Sequence, residues 1–249
     1  MDLLLERRRI IASQRGGGTI DYTLVPLTFK CLTGGDLSIK NANKSYDRNF
    51  EYSLNGGAWT SFDLPKNTAS KLIATLSPND TISFRRDNEN FADAQFISDS
   101  NLTFDIYGNL LSLQYGSAFN GQTELRNTSK KAFGGIFQEM NVVDASKLML
   151  TASTLSNNCY SSMFRNCNSL LAAPELPAKT LVSGCYSWMF TNCSQLSYVK
   201  CLATSGIVYN NIASWLDHVS NTGTFVKASG VTWHSGQSGI PNGWTVIEE

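Results

Sequence analysis

One feature limits the fold of this chain more than any other: a stretch that occurs twice at a fixed offset. Thr154 to Leu170 recurs as Thr180 to Leu196, displaced by 26 residues without a gap. Identities fall at Thr154, Leu155, Cys159, Tyr160, Ser161, Met163, Phe164, Asn166, Cys167 and Leu170 and at their counterparts. A period in the twenties means units that stack, because one unit cannot bury its own apolar face. A worn copy lies upstream, with Phe137 matching Phe164 and Met140 matching Cys167. Cys159, Met163 and Phe164 stand at i, i+4 and i+5, which predicts a short helix with all three on one face. A turn through Asn-Cys and a short strand near Ala173-Pro174-Glu175-Leu176-Pro177 complete the expected unit. The repeat core is therefore expected at Cys159, Met163, Phe164, Cys167 and Leu170, and at Cys185, Met189, Phe190, Cys193 and Leu196.

The cysteines follow the same period. Cys159 to Cys167 and Cys185 to Cys193 are both C-x7-C, whereas zinc ribbons use close pairs. Recurrence at one slot per unit reads as small buried hydrophobes, not as disulfides or a metal set.

Ahead of the repeats the pattern changes. Leu24–Leu32, Leu37–Lys40, Phe50–Leu54, Ala58–Phe62, Lys71–Leu76, Thr81–Arg85, Leu102–Ile106 and Leu110–Tyr115 read as short strands separated by turn residues. Asn55-Gly56 between two of them is a hairpin signal, since a type I′ turn needs positive φ at both central positions. The expectation is an antiparallel sandwich of jelly-roll or immunoglobulin-like build. Before it, Leu4, Leu5, Arg8 and Ile11 fall at helical spacing and Gly16-Gly17-Gly18 ends the pattern, which predicts a helical attachment peg on a hinge. Neither a secretory leader nor an apolar run long enough to span a membrane is read in the chain.

Twenty basic residues balance twenty acidic ones, so no global field selects nucleic acid. Catalytic chemistry has little to work with. His218 and His234 are the two histidines and neither belongs to a metal pair or a nucleophile motif. Asp87, Glu89 and Asp93 beside Arg85 and Arg86 read as a solvated, charge-balanced loop, not as a glycosidase pair or a calcium loop. No cofactor is expected and no metal. Trp188, Trp215, Trp233 and Trp244 are the candidate binding residues, since aromatic faces suit sugars and proteins. The competing reading makes the last three a seal on the final repeat.

The string Cys-Tyr-Ser-x-Met-Phe-x-Asn-Cys-x-x-Leu, followed by Ala173-Pro174-Glu175-Leu176-Pro177-Ala178-Lys179-Thr180-Leu181, resembles the BspA-like leucine-rich repeats. Such repeats occur in surface proteins of gut anaerobes and in structural proteins of their phages. The closing Gly239-Ile240-Pro241-Asn242-Gly243-Trp244-Thr245-Val246 is similar to the family's last repeat and cap. The resemblance implies an α+β, mostly β chain. Its expected parts are a helical peg (1–18), a β-sandwich (19–116), a leucine-rich-repeat solenoid (117–205) and a C-terminal β cap (206–249). It also implies a non-enzymatic structural or binding protein: a phage virion component of the tail or head fibre type, attached by its N-terminus to other virion proteins. Such a protein is expected to be a homo-oligomer that presents its repeats to a host-surface glycan or protein. A bacterial cell-surface adhesin and a carbohydrate-binding module are the alternatives.

Overall fold

The computed structural model describes residues 19–88, 93–126 and 131–249. Two sheets face each other in the first half. The larger has the order β4-β3-β6-β1-β8-β9, built from β1 (Leu27–Cys31), β3 (Phe50–Leu54), β4 (Thr60–Phe62), β6 (Thr81–Arg85), β8 (Phe104–Asn109) and β9 (Val142–Met149). The smaller is β5-β2-β7, from β2 (Gly35–Asn41), β5 (Thr68–Leu76) and β7 (Ala94–Ser98). Strand alternation decides what lies between them. Leu27, Phe29, Ile82, Phe84, Phe104 and Ile106 point inward from the large sheet, and Leu37, Ile39, Leu76 and Phe96 meet them from the small one. Phe29 and Phe84 lie 5.0 and 4.8 Å from Phe96, ring centroid to ring centroid, so they tie the layers together. The Asn55-Gly56 turn between β3 and β4 has both residues at positive φ, 50° and 65°, as the hairpin requires.

The repeats form turns, not helices. Asn158, Ser162 and Asn166 have φ of 57°, 56° and 63°, a left-handed conformation every fourth residue that interrupts any α-helix. The backbone hydrogen bonds show what replaces it. The amides of Cys159, Ser161, Met163, Arg165 and Cys167 each donate to the carbonyl three residues back. Those of Asn158, Tyr160, Ser162, Phe164 and Asn166 leave the coil and donate to Ser183, Cys185, Ser187, Met189 and Thr191 of the next one. Every amide in the run is paired, half within the coil and half between coils, so burying this backbone leaves no orphan. Gly184, Trp188 and Asn192 repeat the left-handed positions, and Ser214 and His218 continue them at the same 26-residue interval. The period thus extends into the segment expected to be the cap.

Aromatic rings stack along the coil axis in two columns. Phe133, Tyr160, Tyr186, Trp215 and Trp233 form one, with centroids 6.2, 6.2, 6.2 and 5.5 Å apart. Phe137, Phe164 and Phe190 form the other, at 5.3 and 5.7 Å. The second column starts on the sandwich: Phe137 lies 6.2 Å from Phe96 and 5.8 Å from Phe29. Backbone links match it. Phe96 donates to Ile136 at 2.9 Å, and β9 joins β8 in parallel although it lies beyond the expected boundary at residue 116. One hydrophobic core therefore runs through both halves. On the far side, β10 (Tyr198–Cys201), β11 (Thr224–Lys227) and β12 (Thr245–Glu248) form a parallel three-stranded sheet.

The expected fold class is corrected accordingly. The chain is mostly β with three sheets, and among the described residues its α-helix is a single turn, Ser112–Tyr115, where a strand was expected. The helix-bearing leucine-rich-repeat solenoid does not form, because the left-handed residues divert alternate amides to the neighbouring coil. Near Pro174 and Pro177 the expected strand reduces to isolated bridges, Asp144 to Ala172 and Leu176 to Cys201. The expected N-terminal helix lies outside the described residues.

Candidate binding trough

The outward face of the large sheet carries a cleft of about 570 Å³, within the range of small-ligand sites. Strand register builds it in rows. Ser53, Ser83, Thr28, Tyr107 and Lys147 stand opposite one another across β3, β6, β1, β8 and β9. Trp59 extends this row, lying one residue beyond the Tyr52 to Thr60 pair and so next to Ser53. A parallel row two residues along contains Thr81, Lys30, Asp105 and Asp144. On the opposite flank Glu51 and Arg85 face each other and form an ion pair of 2.8 Å. Short hydroxyl side chains between longer charged ones make a trough that crosses the strands.

Each end is aromatic. Arg85 lies 4.1 Å from the Trp59 ring centre, a cation–π contact that holds the indole at the sheet margin. At the other end Tyr22 meets Tyr107 edge-on at 5.5 Å, and Lys147 lies 5.6 Å from the Tyr22 ring centre. Tyr22 is held by the 3-10 turn Tyr22–Leu24, which Asp21 caps by accepting from the Thr23 amide at 3.0 Å. The floor is pre-organised: Thr28 Oγ1 lies 2.8 Å from Ser83 Oγ and donates to Pro26, and Ser53 Oγ donates to Gly57.

Asp105 and Asp144 are directly opposite on neighbouring strands. Burial, then the Asp144 charge, raises the Asp105 pKa, while Lys30 and Lys147 oppose the rise. Burial also pushes up the Tyr107 phenol, which stays a neutral donor.

The residues singled out by sequence lie elsewhere. Cys159, Met163, Phe164, Cys167, Leu170, Cys185, Met189, Phe190, Cys193 and Leu196 are all fully buried, as packing. All six cysteines are free and buried. The thiols of Cys167 and Cys193 donate to the carbonyls of Phe137 and Phe164, each at 3.1 Å. Trp215, Trp233 and Trp244 are corrected as candidate ligand contacts: they are 0%, 9% and 7% exposed and offer no open ring face. Trp215 and Trp244 spend their indole N–H on Gly239 and Ser220, each at 2.8 Å. Trp188 is 44% exposed, at the left-handed position filled elsewhere by Gly135, Ser162 and Ser214. His218 pairs with Asp217 and His234 with the Ser238 carbonyl, far in sequence from the trough. Asp87 bonds Arg126, Asp93 accepts from Asn43, and Glu89 lies outside the described residues. So do Leu4, Leu5, Arg8 and Ile11. No group of metal-ligating side chains occurs among the described residues, and no helix there is long and apolar enough to cross a membrane.

Sequence reasoning missed Trp59, Tyr22, Tyr107 and the two polar rows. The alternation that puts Thr28 and Lys30, or Asp105 and Tyr107, on the off-core face was available. What was missing was the strand order that brings them together. Comparisons with family models, curated proteins and solved structures give no match to the chain, so the chemistry of the trough itself has to carry the functional reading.

Proposed function

We propose that the protein is a non-enzymatic structural and binding protein that takes a glycan in the trough on its large sheet. The observation that carries this reading is the cross-strand row in which three small residues, Ser53, Ser83 and Thr28, lie between Trp59 at one end and Tyr107 at the other, with Thr81, Lys30, Asp105 and Asp144 in the row beside it. Thr28 and Ser53 are buried and spend their hydroxyls on Pro26 and Gly57, so the polar groups that match the hydrogen-bonding edges of a sugar are Ser83, Thr81, Lys30, Asp105 and Asp144, and the aromatic rings match its apolar face. Asp105 and Asp144 stand side by side on one floor, whereas a glycoside-cleaving pair must flank the scissile bond from opposite sides. That geometry supports binding without cleavage.

The setting we propose is a virion fibre-type component that attaches by its N-terminal segment to other virion proteins. Six reduced, buried thiols suit a chain folded in a reducing cytoplasm, where virions assemble, better than one exported through an oxidising compartment. Mass spectrometry of purified particles from the source tests the setting: the protein's peptides at stoichiometric level support it, and their absence rules it out.

For the site, a glycan array probed with the wild-type protein and with Trp59→Ala and Tyr107→Ala is the test. Each variant is expected to lose ~10-fold or more in affinity, the loss of one stacking contact. Glycan binding that both variants retain in full places the site elsewhere. New reducing ends in the bound glycan would make the protein an enzyme.

A further inference from the structure

The geometry points to a more specific ligand, on the assumption that the trough takes a glycan: we infer that it holds a linear, uncharged oligosaccharide of about five units, lying across the strands. The direction follows from the rows. Along a strand the trough is walled on one side by Lys30, Asp105 and Asp144 and on the other by Glu51 and Arg85. Across the strands the row between Trp59 and Tyr107 holds only the short side chains Ser53, Ser83 and Thr28. A chain laid along the strands would have to climb both charged walls, whereas one laid across them follows the low row of short side chains.

The length follows from the sheet. Trp59 and Tyr107 are separated by the steps β4 to β3, β3 to β6, β6 to β1 and β1 to β8. Four such spacings of ~4.8 Å give roughly 19 Å, and a hexose in an extended chain advances by about one spacing, so units seated on the two aromatic platforms are four steps apart and roughly five units bridge them. Each outer unit then stacks on a ring, and the inner units lie over the low row and reach Ser83, Thr81, Lys30 and Asp105 at its side.

The lack of charge follows from the walls. Arg85 is neutralised by Glu51, and Lys30 and Lys147 stand among Asp105 and Asp144. A carboxylated or sulfated sugar would lose its hydration without gaining an unmatched cation in return. An extended peptide fits less well, since strand-like peptides are held through a free sheet edge and the floor here is a side-chain face in the middle of a sheet.

Calorimetric titration of the intact protein with linear gluco-, manno-, galacto- and N-acetylglucosamine oligosaccharides of one to six units tests this. Affinity in the series that binds is expected to rise ~10-fold or more from one unit to five and then level off. Trp59→Ala should bring the plateau down to three or four units. Ser83→Gln raises the floor in mid-trough and should abolish binding while leaving the melting temperature unchanged. Affinity that is already maximal with one unit, or that keeps climbing to six, overturns the five-unit site while leaving a glycan-binding protein. Preference for an anionic glycan on the array overturns the uncharged ligand. Failure of every glycan, with a peptide binding instead, removes the proposed function and this inference together.

Discussion

The two halves of the molecule bury similar side chains by opposite means. In the sandwich Phe29 is surrounded by Phe84, Phe96 and Phe104, residues brought from three other strands scattered along the chain. In the coil stack Phe164 is surrounded by its own counterparts, Phe137 and Phe190, one repeat to either side. The backbone divides in the same way. Sandwich strands spend their amides on partners set by topology, and the coils alternate between a carbonyl three residues back and one a full repeat ahead. The stack therefore needs the same residues at every level, and its thiols and aromatics are committed to packing. Large-sheet strands are packed on one face alone. Their outer face carries no core, and that is where the trough lies.

Alkaline pH should separate the halves most sharply. Burial raises the thiol pKa of Cys167, Cys185 and Cys201 to about 12, and Cys159 and Cys193 shift in the same direction. In the unfolded chain these thiols ionise near their ordinary value, so at neutral pH both states are protonated and pH has no effect. Between pH 9 and 12 the unfolded chain loses protons that the folded one keeps, and stability falls. At pH 10 the loss is ~1.4 kcal/mol per thiol, several kcal/mol over the stack. Hydrogen exchange at pH 7 and 10, corrected for intrinsic rates, should show residues 158–227 opening more than β1 and β6, because five raised thiols lie in the stack and one, Cys31, in the sandwich. Uniform loss of protection would mean that the halves do not differ in this respect.

Packing substitutions come next. Phe164→Ala and Phe84→Ala should each cost ~3–5 kcal/mol, since both rings are fully buried among other rings. Their reach should differ. The first coil leans on the sandwich through Phe137, so Phe84→Ala is expected to loosen both halves, and Phe164→Ala only the coils beyond it. Exchange mapped along the chain for each variant checks this. Equal patterns would show that the core behaves as one unit with no direction of dependence.

The smallest effect concerns Trp188. A bulky residue at φ 56° is strained, and Asn accepts that conformation more easily. Trp188→Asn should raise stability by ~0.5–1 kcal/mol in urea unfolding. A decrease would show that the half-covered indole contributes more by contact than its backbone costs.

Parts of this were open to the sequence. The 26-residue period placed every member of the repeat core, because identical units must bury identical positions. Asn55-Gly56 marked its hairpin, because few residues accept positive φ twice in succession. Other parts were not. Cys159, Met163 and Phe164 fit a helical face and a run of tight turns equally well, and the choice lies in amides that leave the coil. Trp215, Trp233 and Trp244 looked available for a ligand until stacking and Gly239 and Ser220 accounted for them.

By itself, then, the sequence determined which side chains of the repeat are buried and at what interval, because a repeat imposes its own neighbours. Tertiary structure alone decided the trough. Ser53, Ser83, Thr28 and Tyr107 are separated in the chain by tens of residues, and they form one row only because β3, β6, β1 and β8 pair in that order and register. Alternation says which face of a strand a residue takes, but nothing local to the chain says which strand lies beside it.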